Sequence, residues 1–206
     1  GPCPAIDLSD DTAAKKLTRK ESLKRHYNYF SKNGSLLFKR LITRENISAY
    51  LEQLFSQHIN RREIAADRSQ FLDPKQCLFY KQLISRMPEE IIHFSVVLYN
   101  EKPIAIHFGF EMNRVFYWYK PSFDIDYAKH GPGEVLLKYL LEYAIDSRLT
   151  EFDFTFGNES FKYRFANLVR NNLRITAHSR FISKLVAGGR KCINELAAVY
   201  QGADVA

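Results

Sequence analysis

The stretch YAKHGPGEVLLKYL, residues 127 to 140, decides how the chain is interpreted. A Gly-Pro-Gly triplet at 131–133 precedes an apolar helical pattern, and Lys129 and His130 stand directly before it. The first amides of a helix have no partner within the helix, and the helix dipole is positive at that end. Glycines let a phosphate approach the backbone closely, so the stretch predicts either a pyrophosphate-binding loop or a tight turn into a helix.

The helix predicted over residues 133 to 148 is amphipathic. Its apolar residues recur at helical spacing and are expected to pack on a sheet. Its polar residues, four apart, form one exposed stripe that begins at Glu134. The residues of this region predicted to contact a phosphorylated cofactor are Lys129, His130, Gly131, Gly133 and Glu134.

Composition limits the classes of protein that the chain can belong to. Its 206 residues suit one domain or slightly more, and 46% hydrophobic residues are enough for a real core. The net charge of +7 favours an anionic partner, which could be nucleic acid, a phosphorylated cofactor or an acidic surface. Three widely spaced cysteines predict reduced thiols and no metal site. No apolar run approaches the roughly 18 residues of a membrane span, so we predict a cytoplasmic protein.

The predicted elements alternate between helices and strands. Short turns at 100–102 and 113–114 predict an antiparallel meander of three strands before the quoted helix. The predicted helices are 12–32, 46–61, 73–86, 133–148, 160–166 and 183–201. The predicted strands are 3–8, 35–42, 91–99, 103–112, 115–123, 151–156 and 175–182. This order predicts an α/β protein with a mixed sheet, a main domain over residues 1–182 and a helical tail over 183–206.

The order of elements and the glycine loop together resemble the GNAT acyltransferase fold, whose central sheet is mixed, mostly antiparallel and flanked by helices. The segment FDFTFGNESFKYRF, residues 152 to 165, is similar to a signature of the cellulose-biosynthesis CelD-type acetyltransferases. That resemblance implies acetyl-coenzyme A as the cofactor, held at the glycine loop. It also implies acetyl transfer to an amine or hydroxyl of a small molecule or of a sugar or polysaccharide precursor.

The same fold is doubled in the FemABX-type aminoacyl-tRNA transferases, and the chain resembles the second half of such a protein. Two positions depart from the common GNAT pattern. Ala128 stands where the loop usually has Gln or Arg, and Phe165 stands where many members have a tyrosine general acid. Tyr163 is the nearest tyrosine, so it is a candidate for the general acid.

Acetyl transfer needs a base, a donor that stabilises oxygen and an acid for the leaving thiol. His107 lies between two small residues on one face of its strand, which leaves room beside the imidazole. Asp153 lies on a strand expected to be buried on both faces, so it needs a partner, and His107, Lys162 or Arg164 could supply it. Each of these residues could equally serve as a structural group.

Further residues are candidates for ligand contacts. Asn158 and Lys162 follow the strand that carries Asp153, and strand ends are where α/β folds bind ligands. The alternatives are a helix cap for Asn158 and a solvated side chain for Lys162. The residues predicted to line the acceptor site are Tyr117, Tyr119, His58 and Arg61, and His58, Arg61 and Arg62 together could bind an acidic acceptor.

The basic helix at residues 15 to 32 could contact tRNA or another polyanion, although such a run is often only a solvated face. Three hypotheses therefore stand. The chain is an acetyl-coenzyme A dependent transferase, or a Fem-like transferase that uses aminoacyl-tRNA. Alternatively it is a non-catalytic domain that keeps the fold and acts through a partner or a further half.

Overall fold

A single sheet organises the computed structural model, which describes residues 1–173. Its strands are β1 (Pro2–Asp7), β2 (Leu36–Leu41), β3 (Ile92–Tyr99), β4 (Lys102–Met112), β5 (Val115–Phe123), β6 (Glu151–Asp153) and β7 (Leu168–Asn171). They lie in the order β2-β3-β4-β5-β6-β1-β7. Every neighbouring pair is antiparallel except β5 with β6, which is parallel. The predicted mixed, mostly antiparallel α/β fold is confirmed.

Helices cover both faces of this sheet. They are α1 (Asp11–Thr18), α2 (Glu21–Asn33), α3 (Arg44–Ile64), α4 (Pro74–Arg86), α5 (Pro132–Asp146) and the short α6 (Ser160–Tyr163). Two 3₁₀ turns, Gln70–Leu72 and Ile125–His130, precede α4 and α5. The Asp73 carboxylate accepts a hydrogen bond from the Lys75 amide at 2.9 Å and caps α4, as its sequence predicts.

Strand alternation builds two cores on opposite sides of the sheet. Val97 and Ala105, which pair across β3 and β4, pack with α1, α2 and α5. Their neighbours Val96 and Ile106 also pair, and they pack with α3 and α4. Because successive side chains of a strand point to opposite faces, these central strands are buried on both sides. The sheet therefore separates an α5 side from an α3 side.

The N-terminal helix prediction is wrong in one respect, because residues 12–32 form two helices. Arg19 and Lys20 end α1 by donating to the carbonyls of Lys16 and Leu17 at 3.2 Å. Leu17 and Leu23 are six residues apart, so one straight helix would put them on different faces. The break lets Leu23 become fully buried while Leu17 packs against the same core.

Other differences concern the C-terminal third of the chain. The strand predicted over 151–156 ends at Asp153, and Phe156 is 67% exposed instead of sharing a buried face with Phe152 and Phe154. Strand β7 is not predicted, because all four of its residues are exposed and give no apolar alternation. The predicted strand 175–182, the tail 183–206 and the boundary between domains lie outside the described residues. Among the described residues, no helix is long and apolar enough to cross a membrane.

Gly109 provides a test of the packing between β4 and β5. A Cβ atom at this position would overlap the His107 ring and the backbone carbonyl of Tyr117. We expect Gly109→Ala to lower the free energy of unfolding by about 1–3 kcal/mol, the usual range for overpacking. Gly133→Ala is the matched control, because its Cβ would lie 3.4 Å from the Phe123 ring. Urea unfolding of both variants measures the difference, and equal midpoints would contradict the packing argument.

Candidate active site

The parallel strands β5 and β6 part after three paired positions, from Val115–Glu151 to Tyr117–Asp153. Strand β6 ends there, whereas β5 continues for six residues. Thr155 has a positive φ of 60°, which is uncommon for a β-branched residue. Its amide donates to Asp153 Oδ1 at 2.6 Å, and its hydroxyl donates to the Trp118 carbonyl at 3.2 Å. The first bond turns the backbone directly after Asp153, and the second fixes the Thr155 side chain to β5. Backbone pairing between β5 and β6 therefore stops here and leaves a gap in the sheet.

A cleft of about 720 Å³ occupies this gap. Its walls are the second half of α3, the end of β5, the start of α5, the loop after β6 and α6. The charged and histidine side chains that line it are His58, Arg61, Arg62, Lys120, Glu134, Glu159, Lys162 and Arg164. Five cations thus face two carboxylates, so the cleft favours anions. Its apolar lining includes Trp118, Phe123, Leu137, Phe154 and Phe161.

The glycine loop borders the cleft at the start of α5. Gly131 caps the helix in the left-handed region, with φ 66° and ψ 49°, and Pro132 occupies the first helical position. A Cβ at Gly131 would meet the His26 ring at 2.7 Å, so the position requires glycine on two counts. Gly133 follows at the second helical position, where the helix provides no acceptor for its amide. Both glycines line the cleft.

The two residues before the loop lie elsewhere. The His130 ring stacks on Tyr29 of α2, with ring centroids 3.7 Å apart. Lys129 is exposed and, like His130, does not line the cleft. The sequence places both residues beside the glycines, but the 3₁₀ turn directs them away from the cleft.

Glu134 connects the start of α5 to neighbouring elements. Its Oε1 accepts a hydrogen bond from Arg164 Nη2 at 2.6 Å, and its Oε2 lies 4.0 Å from His26 Nε2. Burial acts to raise the pKa of Glu134, but the hydrogen bonds from Arg164 and Ser22 outweigh it and lower the pKa. The carboxylate therefore stays ionised and holds the residue after α6 against the glycine loop.

Lys162 lines the cleft with a side chain that is only 4% exposed. Its ammonium group lies 2.9 Å from Glu159 Oε2 and donates to the carbonyls of Phe156 at 3.2 Å and Thr155 at 3.4 Å. Burial acts to raise the pKa of Glu159, and the hydrogen bond from Lys162 more than offsets this, so the pKa is lowered. Lys162 therefore fixes the loop that follows β6.

The α3 side of the cleft carries a second group of polar residues. His58 Nδ1 lies 2.8 Å from Ser69 Oγ, and burial, with Arg61, Arg62 and Lys120 nearby, lowers the pKa of His58 to about 4. Tyr119 also lines the cleft, and its hydroxyl lies 3.3 Å from that of Tyr80. These contacts join α3 to the cap of the first 3₁₀ turn and β5 to α4.

The structure does not bring the three predicted catalytic residues into the cleft. His107 is fully buried, stacks on Trp118 with centroids 5.0 Å apart, and its Nε2 accepts the Tyr119 amide at 3.3 Å. Burial lowers the pKa of His107 to about 3. Asp153 Oδ2 accepts from Arg170 Nη2 at 2.9 Å, so its partner is none of the three predicted for it. Tyr163 is exposed and does not line the cleft.

Two other predicted ligand contacts also lie outside the cleft. The Tyr163 hydroxyl donates to Asn158 Oδ1 at 2.7 Å, which occupies both side chains with each other. Tyr117 pairs with Phe110 and does not line the cleft. Conversely, sequence reasoning missed Trp118, Lys120 and Phe123. The sequence shows how side chains alternate along β5. It does not show that β6 ends at Asp153, which lets these three residues line the cleft.

An open mixed sheet that parts between two parallel strands, with a glycine-capped helix start beside the gap, is the architecture of the GNAT class. Residues 18–163 match the family model described as the acetyltransferase (GNAT) domain. The chain belongs to this family. No curated protein matches the chain.

Solved structures of similar fold include FemX, with a TM-score of 0.54 and 8% identity over 88% of this chain and 56% of that one. A C-terminal domain assigned to a lysylphosphatidylglycerol synthetase from Agrobacterium fabrum gives a TM-score of 0.53 and 13% identity, and the match covers 79% of this chain and 48% of that one. A conserved protein of unknown function from Bacteroides thetaiotaomicron gives a TM-score of 0.52 and 13% identity, and the match covers 74% of this chain and 49% of that one. The chain spans about half the length of these structures, and at such identities the likeness concerns the fold alone.

The buried histidines make stability depend on pH. The unfolded pKa of His107 is near 6.5 and the folded value is about 3, so the unfolded chain binds the extra proton first. The contribution of the neutral His107 to the free energy of unfolding is therefore complete above pH 6.5 and is lost as the pH falls toward 3. Between the two pKa values, each such histidine makes the free energy of unfolding fall by about 1.4 kcal/mol for each unit that the pH is lowered. His93, whose pKa burial also lowers, acts in the same direction.

We expect His107→Asn to reduce that slope by about 1.4 kcal/mol per pH unit between pH 6 and 4, measured by urea unfolding at several pH values. The control is Val97→Ala, a core substitution that weakens the same region and leaves every histidine in place. An unchanged slope in His107→Asn would show that His107 is not the group that resists protonation.

Proposed function

We propose that the cleft binds an acyl-coenzyme A, with acetyl-coenzyme A as the first candidate, and that the chain transfers the acyl group to an amine or hydroxyl. The observation that carries this proposal is the start of α5, where Gly131 and Gly133 border the gap between β5 and β6. The likeness of residues 152–165 to CelD-type enzymes supports a sugar or polysaccharide precursor as the acceptor.

The residues present fit the phosphates of such a cofactor. Gly133 has no side chain, so an oxyanion can approach its amide at the positive end of the α5 dipole. Arg164 and Lys162 supply positive charge on the same side of the cleft. Each of them is bound to a carboxylate, Glu134 and Glu159 respectively, and these ion pairs hold the cations in position. A diphosphate thus meets a helix start with Arg164 beside it, while Lys162, whose ammonium group binds Glu159 and two carbonyls, holds the neighbouring loop in place.

The geometry of the gap supports a role in group transfer. When bound, the cofactor supplies a thioester carbonyl that an amine or hydroxyl can attack. The C–S bond then breaks, and coenzyme A leaves as a thiol that takes up the proton lost by the acceptor. The buried Trp118 and Phe154 give the gap an apolar lining. Among the described side chains of the cleft, His58 is the one uncharged nitrogen base, because its low pKa keeps it unprotonated at neutral pH. A pKa of about 4 makes this imidazole a weak base, so we assign His58, held by Ser69, the role of hydrogen-bond acceptor for the attacking amine or hydroxyl.

The test of cofactor binding is calorimetric titration of acetyl-coenzyme A into the chain and into Gly133→Glu. A carboxylate at the second helical position is compatible with the helix dipole, so we expect the variant to fold. It repels a phosphate at the loop, so we expect binding at least tenfold weaker. Lys75→Gln on α4 changes the net charge by the same amount at an exposed site outside the cleft and should bind as the wild type does.

Binding that is equal in Gly133→Glu and the wild type would remove the loop from the cofactor site. Absence of binding in the wild type would reject an acyl-coenzyme A as the donor. Gly133→Ala separates charge from bulk, because its Cβ makes only a 3.4 Å contact with Phe123. We expect its affinity to lie between those of the wild type and Gly133→Glu.

Aminoacyl-tRNA is a second candidate donor, favoured by one feature of the surface. Helix α2 carries exposed Lys24 and Arg25, and its His26 packs on Gly131, so a basic surface adjoins the loop. If tRNA is the donor, the double variant Lys24→Gln, Arg25→Gln should weaken tRNA binding and lower its dependence on salt. Filter binding of total tRNA at several salt concentrations measures both. Unchanged binding in the double variant would reject this surface as a tRNA site.

A further inference from the structure

The α3 wall of the cleft, defined as His58, Arg61, Arg62 and Lys120, has no part in the proposed cofactor site. We propose that it is a subsite for an anionic group, a carboxylate or a phosphate, on the acyl acceptor. This inference rests on the proposed transferase function and names the class of acceptor: an amine or hydroxyl compound that also carries a negative charge.

The cations of this wall are incompletely compensated. Arg61 and Lys120 have no carboxylate within 4.0 Å among residues 1–173, and only Arg62 forms an ion pair, with Asp67. The Arg61 guanidinium donates to the Pro121 carbonyl at 3.4 Å and lies 5.3 Å from the Phe123 ring centroid. Lys120 donates to Gln70 Oε1 at 3.1 Å, and its ammonium group lies 4.9 Å from the Tyr119 ring centroid. Half-buried cations held by neutral groups leave their charge for a ligand.

The charges also act on one another. Burial lowers the pKa of Arg61, and Arg62 lowers it further, while the more distant Glu159 carboxylate acts in the opposite direction. Burial, Arg62 and Arg61 all lower the pKa of Lys120. Burial and the same cations hold His58 neutral. Arg61, Arg62 and Lys120 repel one another, and a bound anion would offset that repulsion. Clusters of groups with perturbed pKa values are common at binding sites. In contrast, Lys162 and Arg164 already have carboxylate partners.

The position of the wall separates it from the glycine loop. Helix α3 packs on one face of the sheet and α5 on the other. The gap after β6 joins the two sides, so a ligand on the α3 side can meet one on the α5 side there. This arrangement assigns the α5 side to the donor and the α3 side to the acceptor. Arg61 and Lys120 would then hold the acceptor's anion and orient its amine or hydroxyl toward the gap.

The experiment measures anion binding on the α3 wall with the cofactor loop blocked. Inorganic phosphate and acetate are titrated in parallel into Gly133→Glu, followed by calorimetry and by the His58 ring signals in NMR spectra. Phosphate and acetate distinguish a phosphorylated from a carboxylated acceptor. The same titrations are made with Arg61→Gln and Lys120→Met added to that background. Lys32→Gln, an exposed lysine of α2, is the matched control for loss of one charge.

We expect at least one anion to shift the His58 signals, and its affinity to fall at least fivefold in Arg61→Gln and in Lys120→Met but not in Lys32→Gln. Circular dichroism confirms that each variant is folded. Absence of binding by both anions overturns the proposal, as does an equal loss in all three variants, which would indicate a general effect of charge.

A third outcome separates the acceptor from the cofactor. In the unblocked chain, Arg61→Gln and Lys120→Met should bind acetyl-coenzyme A within twofold of the wild type. If they lose cofactor affinity together with anion affinity, the wall holds a cofactor phosphate and the acceptor proposal is overturned. If acetyl-coenzyme A fails to bind the wild type at all, the proposed function fails, while the anion titration still reports on the wall.

Discussion

The early separation of β6 from β5 is the constraint on which the rest of the site depends. Two hydrogen bonds from Thr155, one to Asp153 and one to the Trp118 carbonyl, hold the chain in a backbone conformation that continued pairing would not allow. Without this turn, β6 would cover the edge of β5 and close the cleft. The strain at Thr155 is sustained because Lys162 binds the next carbonyls and the buried Phe154 anchors the loop. A structural lysine and a threonine thus maintain an open sheet.

The sequence alone predicts the parts of this fold that depend on local patterns. Short turns predict the meander of β3 to β5, and Asp73 with Pro74 predicts the start of α4. The GPG triplet predicts the start of α5, because a left-handed cap favours glycine and Pro132 suits the first helical turn. Gly131, Gly133, Glu134, Lys162, His58, Arg61 and Tyr119 were all candidates and all line the cleft. Each lies in or beside an element whose boundary has a clear local signal.

The remaining candidates failed to reach the cleft for reasons that are not local. His107 has a small neighbour, Gly109, and its own ring fills that space, so room inferred from sequence is not room for a ligand. Asp153 is buried as expected, but its partner Arg170 comes from β7, a strand that has no apolar alternation. Lys120 is exposed to the cleft only because β6 ends three residues early. Such features depend on which strands are neighbours, and a single sequence does not specify that order.

The cations on the two sides of the cleft differ in whether a carboxylate neutralises them. On the α5 side, Arg164 and Lys162 each pair with a glutamate, so these two cations are oriented before a ligand arrives. On the α3 side, Arg61 and Lys120 are held by neutral carbonyl and amide oxygens, so their charge is not neutralised. A ligand that ends in an anion gains most by entering from the α3 side. The proposed acyl-coenzyme A would lie along the α5 side because the free amides at the start of that helix suit its phosphates, with its acyl end in the gap. In the proposed arrangement the two ligands therefore meet where the strands part, because the cleft there is lined by residues of both α3 and α5.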